Sequence, residues 1–136
     1  MNSILEIIDK RNLYMYLIMF KIYLDTRGKT NTHYSGNIEK ELEELLEDEY
    51  NYDSFCDAKQ YLISENLVAD KNVSRLSVTG RRDFEDWINE FATLDHQSKI
   101  NLTNNLPNKV TQYLGITKDA ISTLKSAKDL FEFLNN

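Results

Sequence analysis

The stretch FCDAKQYLISENLVADKNVSRLSVTGRRDFEDWI, residues 55–88, decides how the chain is read. Phe55, Ala58, Tyr61 or Leu62, and Leu67 recur at helical spacing, so a helix is expected up to Asn66, capped at its start by Asp53 or Ser54. Leu67-Val68-Ala69 and Val73-Ser74-Arg75-Leu76 are short β-competent segments. The polar turn Asp70-Lys71-Asn72 lies between them, and this pattern predicts a hairpin. Ser77 then supplies the oxygen that a helix N-terminus needs, and Phe84, Trp87, Ile88 and Phe91 follow at one-face spacing.

Upstream, residues 3–26 read as helix with a break near Asn12. Leu13, Leu17, Phe20 and Leu24 make one apolar stripe and Met15, Met19 and Ile22 a second. A helix apolar on every side is buried on every side, so the second stripe needs cover from the C-terminal segment or from another copy of the chain. Arg27-Gly28 ends this helix. Thr30 to His33 (TNTH) is predicted as a brief strand, and Asn37 as the cap of a helix from Ile38 to about Glu47. Ile38, Leu42, Leu45 and Leu46 form the inward stripe of that helix. Downstream, ATLDHQSKINLTNN (residues 92–105) reads as a linker or a weak helix. Pro107 opens a short helix carrying Val110, Tyr113 and Leu114, stopped by Gly115. Thr117 caps a last helix with Ala120, Leu124, Ala127, Phe131 and Leu134 on one face.

The order helix, brief strand, helix, helix, hairpin, helix, with Leu76-Ser77-Val78-Thr79-Gly80-Arg81 opening the final helix, resembles the winged-helix superfamily, in particular its small bacterial and phage members. Those proteins carry leucine-threonine-x-x-glycine-arginine after the wing; here Ser77 replaces the threonine, and Asn66 stands where glycine is common. The resemblance covers roughly residues 5–92, and its specific part runs from Phe55 to Trp87. It implies a mainly α fold with a small β-hairpin wing: a winged helix-turn-helix over residues 1–92 with a helical C-terminal extension, 93–136, that serves packing or dimerisation.

A chain of 136 residues is one domain or one domain with an appendage. The longest apolar run, Leu13 to Phe20, is eight residues, whereas a membrane span needs about twenty. No signal peptide is expected at the N-terminus, and the single cysteine, Cys56, excludes an internal disulfide. A cytoplasmic protein is the expectation. The formal net charge of -6 argues against a general nucleic-acid binder, but the charge is unevenly spread. Seven acids and one lysine fall between Glu39 and Glu49; Lys71, Arg75, Arg81 and Arg82 face one acid, Asp70, between Val68 and Arg82.

Catalytic chemistry has little support in the residues. His33 and His96 are far apart and neither sits in a motif, no two glycines lie close enough for a phosphate loop, and Cys56 has no activating neighbour in sequence except the N-terminus of its own helix. Acids at i, i+4 on one exposed helix repel each other rather than converge on a metal. No enzyme, cofactor or metal is expected. The resemblance instead implies DNA contacts from the helix before the wing and from the wing itself, at Ser54, Lys59, Gln60, Lys71, Asn72, Arg75, Arg81 and Arg82. Gln60 suits adenine and Lys59 guanine or phosphate, while Lys71, Asn72, Arg75, Arg81 and Arg82 suit phosphates. The leading expectation is a sequence-specific, double-stranded-DNA-binding transcriptional regulator of a bacterium or phage. It would act as a homodimer through Met15, Met19, Ile22, Leu124, Phe131 and Leu134. The alternative is a protein-interaction module docking through its Glu39–Glu49 helix, an anti-defence protein or DNA mimic being one form of it.

Overall fold

Fourteen residues, Leu13–Thr26, form the central helix α1. Among its described side chains from Tyr14 onward only Asp25 is exposed. The computed structural model describes residues 13–104, 108–127 and 129–130. Around α1 lie α2 (Ile38–Leu46), a 3-10 turn (Glu47–Glu49), α3 (Tyr52–Ser64), α4 (Val78–Ala92), α5 (His96–Asn104), α6 (Asn108–Leu114) and α7 (Lys118–Ser122). Helix α3 packs most extensively on α1, with α4 and α6 on its other sides, and α6 also meets α2.

Both apolar stripes of α1 are covered within one copy of the chain. Leu17, Phe20 and Leu24 are buried, as are Met19 and Ile22, with Met15 half-buried. Each fully buried aliphatic or aromatic side chain contributes about 1.5–3 kcal/mol of transfer free energy, so α1 anchors the fold. Val110, Leu114, Ile121, Leu124 and Leu130 join Ile18, Phe84 and Ile88 in one continuous core. The C-terminal segment therefore belongs to the same core as the rest. Phe131 and Leu134, and the expected helical residues before Leu13, lie outside the described residues.

The helix starts follow side-chain chemistry. Asn37 Oδ1 accepts from the Lys40 N–H at 3.1 Å and Ser77 Oγ from the Gly80 N–H at 2.9 Å, as expected. Helix α3 is capped by Asn51, which accepts from the Ser54 N–H at 2.8 Å, rather than by Asp53 or Ser54. Asn66 adopts φ 57°, the left-handed conformation that ends α3. Leu62 points inward and Tyr61 outward, 46% exposed.

The β-hairpin wing is absent, and with it the winged helix-turn-helix expected for residues 1–92. Among the described residues there is no strand; the 67–77 segment holds one isolated antiparallel bridge, Val68 to Leu76. The burial pattern explains why. Leu67 and Val68 are buried consecutively, and Val73 and Leu76 are buried three apart. A half-buried ladder needs alternation with a period of two. The turn is instead wound tightly: Asp70 accepts from the Ser74 N–H at 3.0 Å and the Ser74 hydroxyl at 2.7 Å, while Val73 takes φ 54°. The strand expected at Thr30 to His33 is also absent; the backbone bond to the turn comes from the next residue, Tyr34 N–H to Ser74 O at 2.6 Å.

The stretch read as linker or weak helix is helix α5, whose first turn Asp95 caps by accepting from the Ser98 N–H at 2.8 Å. The long last helix is interrupted. Thr117 caps α7 as expected, but α7 ends at Ser122. The buried Lys99 then donates to the Leu124 carbonyl at 2.9 Å, and Asp129 accepts from the Lys125 N–H at 2.8 Å. Both bonds are made by a chain that has left the helix. Among the described residues no helix is long and apolar enough to cross a membrane.

Candidate interaction surface

Helix α2 and the 3-10 turn after it form an acidic ridge. Ile38 and Leu42 turn to the core, which forces the intervening carboxylates outward. Glu43, Glu44, Glu47, Asp48 and Glu49 are exposed, and Glu39 and Glu41 are half-buried. With Lys40 as its one base, the 39–49 segment carries a formal charge equal to that of the whole chain, -6. Glu47 takes φ 50° with ψ -118°, a positive-φ conformation outside the left-handed helical region that costs a residue with a side chain about 1–3 kcal/mol. That turn carries Asp48 and Glu49 on beyond the helix.

Two of the acids have partners. Tyr34 donates its hydroxyl to both Glu41 oxygens, that to Oε2 at 2.8 Å, and Tyr113 donates to Glu41 Oε1 at 3.3 Å. Desolvation, then Glu41, pushes both phenols above their ordinary range, so they remain donors. Lys21 donates to the Tyr113 carbonyl at 2.8 Å and lies 4.8 Å from the centre of its ring, fixing α6 against α1. Glu47 pairs with Lys109 at 3.7 Å, an exposed contact worth little. Among the described residues Glu43, Glu44, Asp48 and Glu49 have no ion-pair partner.

Of the basic and polar residues expected at DNA, Lys59 and Asn72 line one groove. Gln60, Lys71, Asn72 and Arg82 are exposed, and Ser54 is half-buried. Glu39 lines the same groove, so Lys59 stands at the ridge's own end. The half-buried Arg81 makes an i, i+4 ion pair through Nε with Glu85 at 3.8 Å, too long for a hydrogen bond. Glu85 also accepts from the Tyr23 hydroxyl at 2.7 Å. Arg75 is half-buried, and its Nε is buried without a hydrogen-bond partner. The outward face of α3 also carries the exposed Asp53 and Asp57.

His33, Ser74 and Asp70 are brought together across 41 residues of chain, which no local signal in the sequence reveals. Ser74 donates its hydroxyl proton to Asp70 Oδ2, so its oxygen accepts from His33 Nδ1 at 2.8 Å. A nucleophilic serine would instead give its proton to the histidine, and this order ties a loop to a turn. Desolvation pushes the Asp70 carboxyl up, but the Ser74 hydrogen bonds, with the imidazole 4.0 Å away, outweigh it and hold it below the usual range. His96 lies on α5, remote in sequence from this cluster, and among the described residues no three His, Cys, Asp or Glu side chains are placed to hold a metal ion. Comparisons with protein-family models, with curated proteins and with solved structures find no match to the chain.

Proposed function

We propose that the protein is a non-catalytic interaction module whose acidic ridge docks onto a basic surface of another protein. The observation that carries this reading is the run of five exposed carboxylates from Glu43 to Glu49, of which Glu47 alone has an ion-pair partner among the described residues. Like charges held this close destabilise an isolated helix by a few tenths of a kcal/mol per pair, and a cationic partner relieves that repulsion. Complementary charge also speeds encounter and makes association salt-dependent. A nucleic-acid-binding protein is one such partner, with the ridge standing in for phosphates.

A second reading, a sequence-specific DNA-binding regulator, is favoured by the exposure of Gln60, Lys71, Asn72 and Arg82. The two readings separate in one pair of titrations. The full chain is titrated with labelled genomic DNA fragments at low salt, and with a basic protein first captured from cells and then purified. The interaction reading expects no DNA complex and a protein complex that weakens as salt rises. The second reading would be established instead by DNA binding that Lys71→Glu with Arg82→Glu weakens equally for all sequences. Its salt slope should then fall by about one for each phosphate no longer neutralised.

A further inference from the structure

A groove between the start of α2, helix α3 and the 72–74 turn lies at the end of the ridge where Glu39 meets Lys59. It encloses about 380 Å³, within the range of roughly 300–1,000 Å³ typical of small-molecule sites. Ile38, Phe55 and Val73 give it apolar walls, while Lys59, Glu39 and Asn72 stand at the same cavity. Lys59 and Glu39 are both half-buried. Among the described residues no ion pair joins either of them to another side chain, or to each other. The other polar groups nearby are committed. The Tyr34 hydroxyl donates to Glu41, the Ser74 hydroxyl to Asp70, and Asn37 Oδ1 accepts from the Lys40 N–H.

A partly desolvated cation and anion on one cavity of mixed polar and apolar lining select by charge. An anionic ligand meets Glu39, a cationic one meets Lys59, and only a ligand bearing both charges satisfies the two together. We propose that the groove binds a free α-amino acid with an apolar, branched side chain. The carboxylate pairs with Lys59 and the Asn72 amide, the ammonium pairs with Glu39, and the side chain lies against Ile38, Phe55 and Val73. One positive and one negative protein group balance the ligand's charges, which a nucleotide or a fatty acid would not allow.

The test is calorimetric titration of the full chain with L-leucine, L-isoleucine and L-valine. Alongside them run 4-methylpentanoate, which lacks the ammonium, isopentylamine, which lacks the carboxylate, and N-acetyl-leucinamide, which lacks both charges. At least one amino acid is expected to bind, with each of the three analogues at least about tenfold weaker, the factor set by losing about 1.4 kcal/mol. Lys59→Met keeps the aliphatic stem and Glu39→Gln keeps the shape, so both variants should fold with unchanged melting curves and each should weaken binding about tenfold. Absence of binding by all three amino acids up to about 10 mM, a limit above the millimolar affinities of weak ligands, overturns the proposal. So does equal binding of the analogues, or binding that neither variant alters.

Discussion

Gly80 shows at the residue scale how one side chain's absence sets the fold. A Cβ built there would stand 1.8 Å from the Leu67 carbonyl oxygen, a backbone atom that also accepts from the Ser77 N–H at 3.1 Å. Gly80→Ala therefore has to separate α4 from the end of α3, and a loss of about 3 kcal/mol is expected, the upper end for overpacking, because the obstacle cannot rotate away. Denaturant unfolding checks this, and a loss under about 0.5 kcal/mol, the scale of an ordinary surface change, would contradict the packing. Trp87 is 8% exposed and stacks on Tyr16 at a centroid distance of 4.8 Å. Trp87→Ala is expected to cost about 3–5 kcal/mol, and an unchanged melting curve would place the tryptophan elsewhere. Asp70 contributes to acid sensitivity. Its folded pKa is lowered, so its contribution is present above the ordinary carboxylate value of about 3.9 and is lost as pH falls through the folded value. Asp70→Asn should flatten the loss of stability below about pH 4; a variant with the acid profile of the parent would show that the carboxylate does nothing there.

At the scale of elements, local chemistry is legible in the sequence and the path of the chain between elements is not. Asn37, Ser77 and Thr117 each announce a helix start, and each accepts the expected backbone N–H. Phe84, Trp87, Ile88 and Phe91 announce a buried face, and all four are buried. The hairpin pattern misleads because β-branched and apolar residues flanking a polar turn satisfy two structures equally. Only burial of Leu67 with Val68, and of Val73 with Leu76, distinguishes a wound turn from a ladder, and that depends on what packs against them. The last helix is shorter than its apolar face suggests because the Lys99 ammonium, 25 residues away, draws the Leu124 carbonyl out of helical pairing. The acids of the candidate surface are visible in sequence as a run, but the Tyr34, Glu41 and Tyr113 network is not, since Tyr113 lies 72 residues from Glu41. Ser74→Ala removes the hydroxyl joining His33 to Asp70 and should loosen the turn without unfolding the core. Faster amide exchange confined to residues 70–76 is expected, and exchange unchanged from the parent would contradict the role given to that hydroxyl.

For the whole molecule, the decisive facts are one continuous core and one acidic edge. Met19, Ile22 and Leu124, expected from the sequence at a dimer interface, are buried within a single copy. Light scattering at high micromolar concentration is therefore expected to find a monomer, and a dimer there would require a different surface. Deleting residues 117–136 removes Ile121, Leu124 and Leu130, each fully buried, and should yield an aggregating chain; a soluble truncation of equal stability would contradict the shared core. The interaction reading is tested most directly by reversing charge on the ridge. Glu43→Lys with Glu44→Lys alters two exposed side chains that have no ion-pair partner among the described residues, so the melting curve should hold within about 0.5 kcal/mol. Titrated with the purified basic partner at constant salt, this variant should bind at least about a hundredfold more weakly than the parent chain, a loss of about 2.7 kcal/mol. Lys71→Glu with Arg82→Glu should bind that partner as the parent does. Undiminished binding by the ridge variant, or loss of binding by the turn variant alone, would contradict the acidic ridge as the working surface.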